Sequence, residues 1–196
     1  MGIERVQPLR DHLISRGCNP DDYNVILDEE DNVATFLIYT LTGKLVGFQQ
    51  YRPGREKNVA KARAIAGDKL DLRDLCYYTF MREKEFQIWG FDRFDWKRGP
   101  IYVVEGIFDA VKLHNAGYNA VAVFGNSPVW LPAFREAMPH ELIAVCDWDE
   151  PKNPNATPAG LWLSYYTDRY MVCPPGKDPG DMTVQELEEF LQHVNK

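Results

Sequence analysis

From Ile101 onward the chain alternates short apolar runs with helix-like stretches. The runs "IYVVEG", "AVAVFGN", "LIAVCDWD" and "YMVCPP" are rich in strand-forming residues, and segments 107–117, 129–138 and 159–168 between them carry helical patterning. Strand alternating with helix leaves few solutions: the strands pair in parallel, with crossover helices covering the sheet. Sheets of this kind bind their ligands outside the carboxyl ends of the strands. Here those ends carry acids. Glu105 ends the first run, and Asp147 and Asp149 end the third. A carboxylate adds nothing to the burial of a strand, so acids gathered at one edge point to chemistry.

Three carboxylates brought together at neutral pH repel one another unless they share protons or hold a cation. Oxygen donors with no histidine or cysteine beside them suit Mg²⁺ or Mn²⁺ better than zinc. Asp109 follows Glu105 by four residues, at the start of the predicted helix. Two readings stand for it: a further acid of the site, or a carboxylate placed at the positive end of the helix dipole.

The first half of the chain reads differently. A short helix is expected over Gln7–Arg16, then the turn-rich "GCNPDDYN". Apolar and aromatic residues flank Thr42-Gly43, which predicts a hairpin with strands near 33–41 and 45–51. "CYYTF" and "FQIWGF" read as further short strands, and "DWKRGP" at 95–100 reads as a boundary. The expected division is therefore a smaller mixed α+β subdomain over 1–97 and a parallel α/β domain over 98–196. A chain of 196 residues that is 45% hydrophobic has enough apolar material for either one core or two.

Charge is distributed unevenly. The net formal charge is −7, yet between Gly43 and Arg73 eight basic residues face three acids. That stretch includes Arg52, Arg55, Lys57, Lys61 and Arg63. It is either an anion-binding face or a solvated basic loop. The four cysteines are widely spaced, with no paired motif, and fit core thiols better than zinc ligands or disulfides. No apolar stretch approaches the roughly 18–20 residues of a membrane span. Charges also stand where a signal peptide would have its apolar region.

The series "VVEGIFDAVKLHNAGYNAVAVFGN", "IAVCDWDE" and "PPGKDPGDM" closely resembles the TOPRIM (topoisomerase-primase) domain, and within it the bacterial and phage DNA primases. The likeness covers about residues 101–182. It rests on an E-G-x-x-D turn, a Gly after the second strand, a D-x-D and a K-D-P turn in that order. The resemblance implies a TOPRIM parallel sheet flanked by helices, preceded by the smaller basic subdomain. It implies that Glu105, Asp147 and Asp149 hold divalent metals, with Asp109 and Asp178 as supporting acids. More weakly, "GFQQYRPG" and "MREKEFQIWGF" are similar to the other part of a primase polymerase core. Arg52 and Lys84 are thereby implied to contact template phosphates or the nucleoside triphosphate.

Two departures accompany the likeness. "EPKNPNATP" follows the D-x-D where the family continues directly into Ala-Gly and a helix, and Gly180 stands where the family has a second acid after K-D-P. The function implied is that of a DNA primase core, which makes RNA primers on a single-stranded DNA template from ribonucleoside triphosphates. The small size suggests a phage-encoded chain acting in the host cytoplasm, without membrane association and with a separate zinc-binding or helicase protein as partner. A metal-dependent TOPRIM nuclease and a non-catalytic module binding single-stranded nucleic acid or a replication partner are the alternatives.

Overall fold

Pro8 leads into helix α1 (Leu9–Ser15), whose Leu9 and Leu13 lie four residues apart on one face and are both buried. Strands β1 (Ile26–Asp28), β2 (Val33–Tyr39), β3 (Leu45–Tyr51) and β4 (Tyr77–Met81) follow. They form an antiparallel sheet in the order β1-β2-β3-β4. The computed structural model describes residues 7–40, 42–57, 63, 69, 71–82, 88–124, 130–148 and 159–192. Its chain divides into two units, Met1–Tyr39 with Gly43–Glu83, and Thr40–Thr42 with Lys84–Lys196.

In the first unit the two faces of the sheet differ. On one face Tyr51 stacks on Tyr77 with centroids 5.1 Å apart. His12 Nε2 of α1 lies 2.9 Å from Tyr51 Oη, and the Arg16 guanidinium sits 5.6 Å from the centre of the same ring. Helix α1 thus covers this face. On the other face the register aligns Leu37, Phe48 and Phe80 in one row and Thr35, Gln50 and Tyr78 in the next. Side chains two residues apart on a strand share a face, so these rows form one surface.

The second unit holds strands β5 (Ile101–Val104), β6 (Asn119–Ala122), β7 (Leu142–Cys146) and β8 (Arg169–Val172). All pair in parallel, in the order β6-β5-β7-β8. Every residue of β5, β6 and β7 is buried, which explains why their sequences read as continuous apolar runs instead of alternating. Helix α2 (Ile107–Asn115) connects β5 to β6 and lies against both. Helix α3 (Leu131–Ala137) precedes β7. Leu131 and Phe134 of α3 join a cluster with Ile101, Val103, Val121, Leu142 and Ala144, alternate positions that share one face of the sheet. Helix α4 (Val184–Gln192) closes the described chain, with Leu187 and Leu191 buried.

The structure adds detail at three points. Segment 159–168, expected only to be helix-like, forms a 3₁₀ helix over Ala159–Tyr166. β1 lies beyond the turn-rich stretch in a segment for which no strand was predicted, and forms because Ile26, Leu27 and Asp28 pair with the edge of β2. The division between units falls at Glu83 and Lys84, ahead of the expected 97/98 boundary. The reason lies in the contacts of the intervening residues. Ile88 joins the core cluster of the second unit, Trp89 bridges Ala122, and the Asn119 side chain donates to the carbonyls of Asp95 and Arg98.

Candidate functional site

Strand β5 feeds a helix leading to β6 on one side, while β7 leads to β8 on the other. The carboxyl ends of the adjacent strands β5 and β7 therefore flank the point where the strand order reverses. In sheets of this type such a point is where ligands bind. Glu105 follows the last residue of β5, and Asp147 the last residue of β7. Both side chains are half-buried, and Glu105 Oε1 and Asp147 Oδ1 are shut off from solvent.

The thiols beneath these acids register their convergence. Burial, with the charges of Glu105 and Asp147 adding to it, pushes the Cys146 thiol up to about 12. Burial also raises Cys173, to which the charges of Asp147, Asp109 and Asp178 add. Neither thiol becomes a thiolate at neutral pH, so the donors on offer here are carboxylate oxygens.

Asp109 acts as a clamp. It is 7% exposed in the first turn of α2. Oδ2 accepts from the backbone N–H of Gly106 at 3.1 Å, and Oδ1 accepts from the backbone N–H of Gly180 at 2.9 Å. The two glycines leave room for this. A Cβ at Gly106 would stand 2.6 Å from Asp109 Oδ2, and one at Gly180 would stand 2.9 Å from Asp109 Oδ1. Asp109 thus meets both readings: it begins the helix, and it ties the K-D-P turn to the end of β5.

Further bonds hold that turn. Asp178 Oδ1 accepts from Asp181 N at 2.9 Å and caps the short 3₁₀ turn Pro179–Asp181. Trp148 N donates to Lys177 O at 3.4 Å, which ties the turn to the end of β7. Lys177 Nζ pairs with Glu186 Oε1 of α4 at 2.6 Å, and this partner holds the Glu186 carboxyl down at about 2. The tethering roles of Lys177 and Gly180 were not evident in the sequence. The Asp-Pro-Gly-Asp signature announces a turn but not what the turn is fastened to.

Asp149 and Lys84 lie outside the described residues. Among the described residues no three His, Cys, Asp or Glu side chains are grouped to hold a metal ion. Asp178, expected among the metal-site acids, uses Oδ1 to cap its own turn, which leaves Oδ2 as its remaining oxygen. The pair Glu105 and Asp147 still suits a hard divalent cation: the donors are oxygens, two of them are sheltered from water, and the strands beneath are rigidly buried.

The basic residues belong to the first unit. Arg52, just past β3, is 8% exposed, with Nη2 donating to Gln50 Oε1 at 2.8 Å and Nη1 buried with no acceptor among the described residues. It lines a cleft of about 310 Å³ together with Asp31, Val33, Arg55 and Arg73. Lys57 is exposed. Arg63 is committed to Asp74 at 2.6 Å, a pairing that engages one of the expected anion contacts. Lys61 lies outside the described residues.

A parallel sheet with acids at its switch point follows an antiparallel unit that carries a basic segment, an architecture shared with solved primase cores. Comparison with solved structures places this chain beside such proteins. It is similar to the DnaG primase catalytic domain solved bound to single-stranded DNA, with a TM-score of 0.58 and 21% identity over 95% of this chain and 58% of that one. The E. coli primase catalytic core gives a TM-score of 0.57 and 21% identity over 92% of this chain and 61% of that one. The primase fragment of the bacteriophage T7 primase-helicase protein gives 0.59 and 18% identity, over 94% and 73%. The likeness is one of fold, and the chain spans about three-fifths of the length of the first two proteins. No family model matches the sequence, and no curated protein matches it.

Proposed function

We propose that this chain is the catalytic core of a DNA primase, joining ribonucleotides into primers on a single-stranded DNA template. The observation that carries the reading is the placement of Glu105 and Asp147 at the ends of adjacent parallel strands in a fold shared with primase cores. In the reaction a 3′ oxygen bonds to the α-phosphorus of a nucleoside triphosphate, and pyrophosphate leaves with the electron pair of the broken bond. Glu105 and Asp147, joined by Asp149, would hold Mg²⁺ or Mn²⁺, which when bound neutralises phosphate charge and aligns the attacking and leaving oxygens.

The chain's own residues prepare that site. Asp109 fixes the turn that aims Glu105, and the turn around Asp178 encloses the end of β7. Arg52 and Arg55, with Lys57, Lys61 and Arg63, would take phosphates of the template or the triphosphate, and Lys84 would contact the nucleotide. A separate zinc-binding or helicase protein would assist initiation by raising the effective concentration of the core at the template. Two neighbouring folds suit that arrangement: one was solved with its zinc-binding and RNA polymerase domains, the other comes from a primase-helicase.

Incorporation of labelled ribonucleotides on single-stranded DNA, with Mg²⁺ and then Mn²⁺, tests the reading. Template-dependent RNA products that vanish in Glu105→Gln support it. Cleavage of the template in place of synthesis would replace it with the nuclease.

A further inference from the structure

The face of the antiparallel sheet opposite helix α1 carries aromatic side chains at adjoining positions on two strands. Phe48 of β3 stacks on Phe80 of β4 with ring centroids 5.5 Å apart, and meets Tyr78 edge-on at 6.2 Å. Cross-strand packing alone would account for such pairs if they were buried. They are not fully so: Phe80 is 47% exposed, Phe48 and Tyr78 are only partly buried, and Ile26 farther along the face is 56% exposed.

This surface continues into positive charge. Gln50 is paired with Tyr78 in the register. Arg52, two residues farther on, shares the face with Gln50 and donates to it. A buried guanidinium with an unspent donor is costly unless something accepts from it, and Arg52 Nη1 is such a donor at the wall of the arginine-lined cleft. The chain as a whole is at −7, so a cluster of arginines beside exposed aromatics on one face is not an average property of its surface. Rings that stack flat groups, with guanidinium groups alongside for phosphates, match the two chemistries of a single nucleic-acid strand, whose bases are unpaired and whose backbone is anionic.

We infer that this sheet face is a binding platform for single-stranded DNA, with bases stacking on Phe48, Tyr78 and Phe80 and a backbone phosphate seated in the cleft by Arg52 and Arg55, while Arg73 on the cleft wall is paired with Asp71. The inference rests on the primase reading only in taking the bound strand to be the template. Base stacking makes affinity depend on the presence of bases but little on their order. Asp31, on the wall of the same cleft, opposes a second phosphate and limits the seat to one.

Binding of the full chain to labelled dT12 and to an abasic strand of equal length and charge, followed by fluorescence anisotropy, separates stacking from backbone attraction. Phe80→Ala and Tyr78→Ala should each weaken dT12 binding roughly tenfold, the scale of losing one stacked base, and leave abasic binding unchanged. Thermal melting establishes that the variants are folded. Photocrosslinking of a 5-iodouracil strand to the unaltered chain should mark Phe48, Tyr78 or Phe80, a readout that does not depend on any variant. Equal affinity for dT12 and the abasic strand, unchanged dT12 affinity in both folded variants, or crosslinks confined elsewhere would overturn the platform. So would a replication protein that occupies this face without competing with dT12. A chain that binds dT12 through these rings yet makes no RNA keeps the platform and loses the primase reading. A chain that makes RNA with both variants binding normally does the reverse.

Discussion

The Oδ1 oxygen of Asp109 accepts the backbone N–H of Gly180 at 2.9 Å, joining residues 71 apart in the chain. Because Oδ2 of the same carboxylate takes Gly106 N, one side chain fixes both the turn after β5 and the K-D-P turn. Replacing Asp109 by Ala deprives two backbone donors of their acceptor. The expected loss is about 2–4 kcal/mol in urea denaturation. Asp109→Asn keeps one acceptor and should cost less. Equal stability of wild type and Asp109→Ala would remove the clamp.

Glu105 and Asp147 should behave in the opposite sense. Glu105→Gln and Asp147→Asn each remove a charge from a crowded edge, so the melting temperature should hold or rise. Metal-dependent RNA synthesis should disappear, and calorimetric titration with Mn²⁺ should lose its heat. Normal synthesis in either variant contradicts the assignment of these acids as metal ligands.

The arginine cleft predicts a salt signature. If Arg52 and Arg55 together hold the one phosphate of this cleft, Arg55→Ala should flatten the slope of log K against log salt for single-stranded DNA by up to about 0.7. Arg52→Ala should do the same and also release Gln50 from its bond. Unchanged slopes in both would make this a solvated turn.

His114 sets a pH limit on stability. Burial depresses its pKa to about 4, and the charge of Arg93 works in the same direction against the bond to Ala120 O. The folded state therefore favours the neutral ring, while the unfolded chain protonates near its ordinary value of about 6.5. Stability is full above that value and falls as pH drops from about 6.5 to about 4, by roughly 3 kcal/mol in total. Denaturation midpoints across this range should show the slope, and His114→Gln should lack it.

What the sequence disclosed follows from the range of the interactions involved. β5, β6 and β7 were legible because both faces of each are covered, so their runs are apolar without interruption. Glu105 and Asp147 were legible because an acid after such a run has no packing purpose. The Asp109 to Gly180 bond was not, since no local pattern announces a partner 71 residues away. β1 escaped notice because three residues with one pairing edge carry no period to read. Ile88 and Trp89 look like a strand of their own in the sequence, while their partners lie ahead in β6 and its core.

Strands β5 and β7 are the two interior strands of their sheet, hydrogen-bonded on both sides, and they carry the acids at their ends. Fluctuations that fray a sheet begin at its margins, here β6 and β8. Amide hydrogens of Tyr102, Val103, Ile143 and Ala144 should therefore exchange with deuterium only through global opening, whereas those of Tyr170 exchange through local excursions. The acid pair thus stands on the last part of the domain to yield, so warming toward the melting point should erode the aromatic surface of the 3₁₀ helix and β8 before it disturbs the spacing of Glu105 and Asp147.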